Sequence, residues 1–388
     1  MGRRGRRLLL GLLVAVLAGA GALYLLVWRP VAPAYAFLDA LDAPLPTEAD
    51  LERVGGIRYP REGPPRLLRY LPPPGDGRSP ILVVVAGVTA LGIDDPRVWR
   101  LLLALREAGF AVLAPEVPGL SRLGEDREGV KHVRDALLLA SKAEGFETGL
   151  PGADASRIGV LGVSLGASLA LHAAATSPVP VRALVLVGAP DDPRNLAPSW
   201  FREPVAPGGA TGHAKLRSGS GLFARHGVLR AAAGRIVGAA EAAALRAWID
   251  GIGEAPASGG PPPPEVGGAE GARWVRAALA EERIETPDLA WVLTAAEPDL
   301  ATCAPAAFDA DLAGLRSPVW LVHGTEDPLV PPSEMDLLAA RLSPRVPVHT
   351  LPSALLTHVD VGSPGLAEAW RHLRVLTEAF DAVRGKGS

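Results

Sequence analysis

The run Ile81-Leu82-Val83-Val84-Val85 is wholly aliphatic, with no polar residue alternating through it. A strand of that kind has to be buried on both faces, which an exposed or two-layer antiparallel sheet does not provide. Similar short runs recur at Phe110 to Leu113, Ile158 to Leu161, Ala183 to Val187, Val319 to Val322 and Val346 to Leu351, with an earlier strand candidate at Arg66 to Leu71. Helical patterns lie between them: Val98 to Ala108, Leu165 to Ala175, and Val130 to Ala143, in which Val130, Val133, Leu137 and Ala140 share one face. Strands alternating with helices of this length predict a mostly parallel sheet covered by helices on both sides, an α/β architecture.

The alternation breaks between about Asn195 and Leu312. Helical stretches at Ile236 to Ile249 and Ala272 to Glu282 flank a Gly/Pro-rich run, Ala255 to Gly271, whose prolines Pro261 to Pro264 read as a spacer. This segment is expected as a helical cap inserted into the α/β domain, where it would form a lid over a binding site. Its Trp200, Phe201, Trp248, Trp274 and Trp291 read chiefly as the insertion's own core, with an apolar acyl site as the other use. The expected organisation is residues 1–30 as a cytoplasmic tip and transmembrane anchor, 31–65 as a stalk, 66–194 and 312–388 as the two parts of the α/β core, and 195–311 as the cap.

At the N-terminus, Arg3, Arg4, Arg6 and Arg7 precede an uncharged run from Leu8 to Trp28, closed by Arg29 and Pro30. At ~1.5 Å per residue this run covers the ~30 Å hydrocarbon core, and the arginines hold the N-terminus in the cytoplasm. The alternative is a cleaved signal peptide, because Ala18-Gly19-Ala20 resembles a small-residue cleavage site. The anchor is preferred, since Leu23, Leu25, Leu26 and Val27 continue the run and Tyr24 and Trp28 suit the far interface. The 388 residues carry a net charge of only −3, so charge offers no argument for nucleic acid as a partner. The single cysteine, Cys303, rules out an internal disulfide, and no Cys/His spacing implies a metal.

The sharpest local signal is Gly162-Val163-Ser164-Leu165-Gly166, at the end of the strand Ile158 to Leu161 and the start of the helix that follows. A serine hydroxyl becomes a useful nucleophile when a tight turn exposes it beside a base, and the glycines allow a backbone that a side chain would block. The stretch Asp154-Ala155-Ser156-Arg157-Ile158-Gly159-Val160-Leu161 leading into this motif, together with Gly109-Phe110-Ala111-Val112-Leu113-Ala114-Pro115, resembles the esterase and dienelactone-hydrolase-like branches of the α/β-hydrolase superfamily. The resemblance covers roughly residues 66 to 194 and 312 to 380. It implies an eight-stranded sheet, a nucleophile at Ser164, and partners in the order Ser, Asp, His.

Under that resemblance the acid belongs after the penultimate strand, where Val319-Trp320-Leu321-Val322-His323-Gly324-Thr325-Glu326-Asp327 supplies Asp327 on a tight turn. Glu326 is the neighbour to weigh against it, and Asp191 and Asp192 are alternatives one strand earlier. An aspartate in a turn also commonly caps its own backbone. The base is expected at His358, in the loop after the last strand. His349 lies within that strand, and His323 is expected to pack at the end of its own. For the oxyanion, the family uses backbone N–H groups, here those of Leu165 and Val88. The sequence departs from the family where Ala86-Gly87-Val88-Thr89 stands in place of a common His-Gly pair, which leaves Val88 and Thr89 both open as the second donor.

The resemblance therefore implies a serine hydrolase acting on a small-molecule ester or acyl substrate, with no cofactor. A catalytically silent scaffold, or peptidase, thioesterase or acyltransferase chemistry on the same residues, are the competing readings. For topology, a reporter fused after Ser388 is expected to be active only outside the cytoplasm. Activity confined to the cytoplasm would reverse the orientation.

Overall fold

The computed structural model describes residues 29–46, 57–61, 63–89, 91–121, 128–143, 150–202, 212–254, 264–265, 268–279, 286–354, 356 and 366–386. Eight strands, β1 (Ile57–Arg61), β2 (Gly63–Leu71), β3 (Ser79–Val85), β4 (Ala111–Pro115), β5 (Ala153–Val163), β6 (Leu184–Val187), β7 (Val319–Gly324) and β8 (Val348–Ser353), form one sheet in the order β1-β2-β4-β3-β5-β6-β7-β8. The β1–β2 and β2–β4 pairs are antiparallel and all others are parallel. The helices of the first part are α1 (Arg29–Leu41), α2 (Pro96–Glu107), α3 (Pro118–Ser121), α4 (Gly129–Ser141) and α5 (Leu165–Thr176). Those of the insertion are α6 (Pro193–Arg202), α7 (Gly212–Ile236), α8 (Ala239–Glu254), α9 (Gly268–Leu279) and α10 (Thr286–Ala301), and α11 (Ser333–Leu342) and α12 (Leu366–Arg384) complete the core.

Pleating explains why β3 is uniformly apolar. Ile81, Val83 and Val85 point into one core, with Val133 and Leu137 of α4 and Leu169 and Leu171 of α5. Leu82 and Val84 point into the other, with Trp99, Leu102 and Leu105 of α2 and Phe380 and Val383 of α12. Phe380 is the hinge pin of the second layer: its ring meets Phe37 of α1 at 5.7 Å and Phe110 at 4.9 Å, both edge to face.

Residues 31–65, expected as a stalk, are in part built into the core. Helix α1 buries Ala34 and Phe37 against it, and β1 extends the sheet through β2. The sequence signal for β1 is weak because Ile57-Arg58-Tyr59-Pro60-Arg61 lacks an apolar run. The helix expected at Ile236 to Ile249 is α8, which begins three residues later at Ala239 and runs on to Glu254; Ile236 is the last residue of α7, with Val237 and Gly238 between the two. Glycine is a poor helix former, and Gly238 lies in the break. Helix α10 adds a further helix to the segment expected to be helical. The expected transmembrane run, 8–28, lies outside the described residues; among those that are described, no helix is long and apolar enough to cross a membrane.

The insertion has a core of its own, in which Phe201, Val228, Leu229, Leu245, Trp248, Val292 and Ala296 are buried together. Phe201 and Trp248 therefore serve as interior residues, and Trp200 and Trp291 pack against that interior. Removing the aromatic ring that joins α12, α1 and Phe110 leaves a cavity, so Phe380→Ala is expected to cost ~3–5 kcal/mol. Urea denaturation followed by circular dichroism measures this, as a lower transition midpoint at unchanged slope.

Candidate active site

At the end of β5 the chain turns into α5 through Ser164, whose backbone sits at φ 53°, ψ −130°. It is the one non-glycine residue with positive φ among the described residues. Such a conformation costs about 1–3 kcal/mol and persists only when the surroundings impose it. Here the imposing contacts are visible. The Ser164 N–H donates to the carbonyl of Val187 on β6 at 2.8 Å, and its own carbonyl accepts from Ala167 N–H at 2.9 Å.

Two glycines make room for this turn. A Cβ on Gly166 would lie 2.1 Å from the carbonyl oxygen of Ala86 and 2.7 Å from that of Val85, both backbone atoms at the end of β3. A Cβ on Gly162 would lie 2.5 Å from Ala167 Cα, so α5 could not approach β5 as it does. The first turn of α5 is thus pressed onto the segment that begins Ala86-Gly87-Val88-Thr89.

That segment runs directly beside the serine: a Cβ on Gly87 would be 3.2 Å from Ser164 Cβ. Val88 follows, half-buried against the core, and Leu165 is buried at the first position of α5. Thr89 braces the loop by donating its hydroxyl to the Gly92 carbonyl at 3.2 Å. Beyond it lies a cavity of about 180 Å³ lined by residues including Gly87, Leu91, Ile93, Asp94, Glu116 and Val117. Asp94 is neutralised there by Arg69, whose Nη2 lies 2.7 Å from its carboxylate.

Two strands along, β7 ends at Gly324 and the turn after it buries Asp327 while leaving Glu326 exposed. Asp327 Oδ1 accepts the N–H groups of Leu329 at 2.8 Å and Val330 at 2.9 Å, so the carboxylate does cap its own turn. Its Oδ2 lies 3.7 Å from Nε2 of His323. His323 Nε2 donates to the Val330 carbonyl at 2.8 Å, since a carbonyl can only accept, and so closes the turn from the strand side. The cap joins this same turn, because Trp200 Nε1 of α6 donates to the Leu329 carbonyl at 2.8 Å.

The alternative acids are otherwise engaged. Asp191 receives Arg341 Nε at 2.6 Å and Nη2 at 2.8 Å, and Asp192 receives Arg194 Nη2 at 2.7 Å. Glu334 caps both from below, its Oε2 accepting the N–H groups of Asp191 at 2.9 Å and Asp192 at 3.3 Å. Burial pushes the Glu334 carboxyl above the usual range, with the charges of Asp191 and Asp192 adding to this against the pull of those two N–H groups. Burial likewise pushes the Cys303 thiol up to about 11, so it is no thiolate near neutral pH.

Of the expected site residues, the structure places Ser164 beside the Gly87 segment and Asp327 in the turn after β7; His358 lies outside the described residues. His349 stacks on Trp320 within the sheet at 4.7 Å, and His172 pairs with Asp311 at 2.8 Å. Sequence reasoning passed over His372, which is buried on α12 with Nε2 2.7 Å from Ser353 Oγ. Its only sequence signal is a place on the apolar face of that helix. Among the described residues no group of three or more His, Cys, Asp or Glu side chains could hold a metal ion.

Residues 153–359 match the α/β-hydrolase fold family. The chain belongs to that family. No match is found among curated proteins by sequence. Among solved structures, this α/β-hydrolase is similar to an esterase from Rhizomucor miehei, at 16% identity and a TM-score of 0.49, over 92% of this chain and 98% of that one. It is also similar to a thermostable esterase from Pseudomonas putida, at 14% identity and a TM-score of 0.45, over 86% and 81%. A third is the acylaminoacyl peptidase of Pyrococcus horikoshii, at 13% identity and a TM-score of 0.42, where 84% of this chain spans only 40% of the peptidase.

The hydrolase turn generates a direct prediction. Gly166→Ala sets a Cβ against two backbone carbonyls that cannot rotate away, so it is expected to abolish the cooperative unfolding transition. A variant with wild-type denaturation behaviour would show that α5 can retreat from β3.

Proposed function

We propose that this chain is a membrane-anchored serine hydrolase that cleaves an ester through an acyl-serine intermediate. The observation that carries the reading is the strained backbone of Ser164, since a residue held at φ 53° by neighbouring strands is one whose side chain the fold exposes at a price in stability.

In the proposed mechanism, His358 takes the Ser164 hydroxyl proton as the oxygen attacks the ester carbonyl. Asp327 orients the imidazole and stabilises its cationic form. The N–H groups of Leu165 and of Val88 or Thr89 receive the developing oxyanion. The imidazolium then protonates the departing alcohol, leaving the acyl group on Ser164. Water, activated by His358, releases the acid and restores the serine. The cavity beside Gly87 lies at the right end of the sheet to receive one side of the substrate. Residues 8–28 hold the enzyme in the membrane, with the hydrolase domain outside the cytoplasm.

A fluorophosphonate probe is expected to label the full chain and not its Ser164→Ala variant. Equal labelling of the two would remove Ser164 from the mechanism. Asp327→Asn is expected to lower kcat for a p-nitrophenyl ester by roughly 10⁴-fold. Absence of labelling in the folded wild-type protein would favour the silent scaffold, and labelling without ester turnover would favour amide, thioester or transfer chemistry.

A further inference from the structure

Strand β8 ends in a cluster of polar ties that the mechanism above does not use. Ser353, fully buried, is its centre. Its carbonyl accepts the N–H of Thr325, in the turn that carries Asp327, at 2.9 Å. Its hydroxyl oxygen accepts the N–H of Leu356 at 3.3 Å and lies 2.7 Å from His372 Nε2. His372 is held in turn, its Nδ1–H donating to the carbonyl of Glu368 one helical turn back at 2.8 Å. Because that carbonyl can only accept, the proton on Nδ1 is assigned by geometry, which leaves Nε2 facing the Ser353 hydroxyl.

The same face of α12 grips the neighbouring residues. Arg371 Nη2 donates to the Pro352 carbonyl at 2.7 Å, and Glu368 Oε1 accepts the Ala354 N–H at 2.7 Å. Four positions in the span 352–356 are therefore fixed, one side to α12 and one side to the acid-bearing turn. His358 is two residues past Leu356, within at most about 7 Å of chain. A buried hydroxyl–imidazole pair adds little net stability over an apolar pair of the same shape, so what it contributes is direction.

We infer that Ser353 and His372 are positioning residues: they set the departure point of the chain that carries His358 against the turn that carries Asp327. This rests on the reading of Ser164, Asp327 and His358 as the reacting set. An imidazole has to meet both hydroxyl and carboxylate within a few tenths of an ångström, and misplacement by ~1 Å costs on the order of 100-fold in rate.

Ser353→Ala and His372→Phe, made in the full chain, test this through the rate of fluorophosphonate labelling and through kcat and KM on a p-nitrophenyl ester. Each is expected to lower kcat and the labelling rate by roughly 10- to 100-fold, with KM changed by no more than about twofold. Repeated in a His358→Ala background, the same substitutions are expected to cost nothing further, because the residue they position is gone. Arg374→Ala, on the exposed face of α12, serves as the unchanged control. Should Ser353→Ala fail to fold, Glu368→Ala removes the Ala354 tie near the surface and carries the same expectation, with Glu368→Gln, which keeps an acceptor, recovering most of the rate.

Wild-type rates in Ser353→Ala and His372→Phe, or equal losses with and without His358, would overturn the inference alone. A His358→Ala variant that kept the full wild-type rate would instead overturn the underlying reading of the site.

Discussion

The site depends on one close approach of backbone to backbone. The N-terminal turn of α5 lies so near the end of β3 that Gly166 has no room for a methyl group beside the Ala86 carbonyl. That contact sets the serine turn and the Gly87 segment side by side, and it is what holds Ser164 in a conformation it would not adopt alone. The strain is borne by the sheet: the hydrogen bond from Ser164 N–H to Val187 ties the turn to the next strand, and the two apolar layers on either side keep those strands from yielding. Preorganisation of this kind is needed wherever donors have to point at charge that develops during a reaction.

A second consequence of the parallel sheet is that the ends of β3, β5, β6, β7 and β8 share one edge. Each loop leaving that edge is braced by a different device. The loop after β6 is gripped by Arg341, Arg194 and Glu334. The turn after β7 is closed by His323 and roofed by Trp200 of the cap. The end of β8 is held by Glu368, Arg371 and His372. Polar and charged side chains do this work because backbone groups leaving a sheet need new partners once the ladder ends. The insertion joins the arrangement through α6, which also contributes Phe201 to the interior it shares with α7, α8 and α10, where the fully buried Arg225 places its guanidinium 5.6 Å from the centre of the Phe201 ring.

Much of the fold was legible because its signals are local. Uniform aliphatic runs announced the central strands, and a glycine on either side of Ser164 announced the turn. The edge strand β1 was not legible, since Ile57-Arg58-Tyr59-Pro60-Arg61 reads as neither alternation nor a run. The helices of the insertion were only partly so: α7 and α10 contain many alanines and glycines or an internal proline, Pro298, and present no clear apolar face to the eye. The choice between Asp327 and Glu326 turned on position in a family pattern. Their different burial is a tertiary fact, as is the engagement of Asp191 and Asp192 with arginines distant or near in the chain.

By itself, the order of residues determined what is decided within a few positions: which segments are buried on both faces, and where the chain must turn through glycine around Ser164. Only the tertiary structure decided the strand order, the joining of α1 and β1 to the core, and the hydrogen-bonding roles of Trp200, His323, Ser353 and His372. The reason is physical. Those roles are hydrogen bonds between groups separated by tens of residues or more, or by a strand and the turn it feeds, and no short-range pattern encodes which donor will meet which acceptor once the sheet has closed.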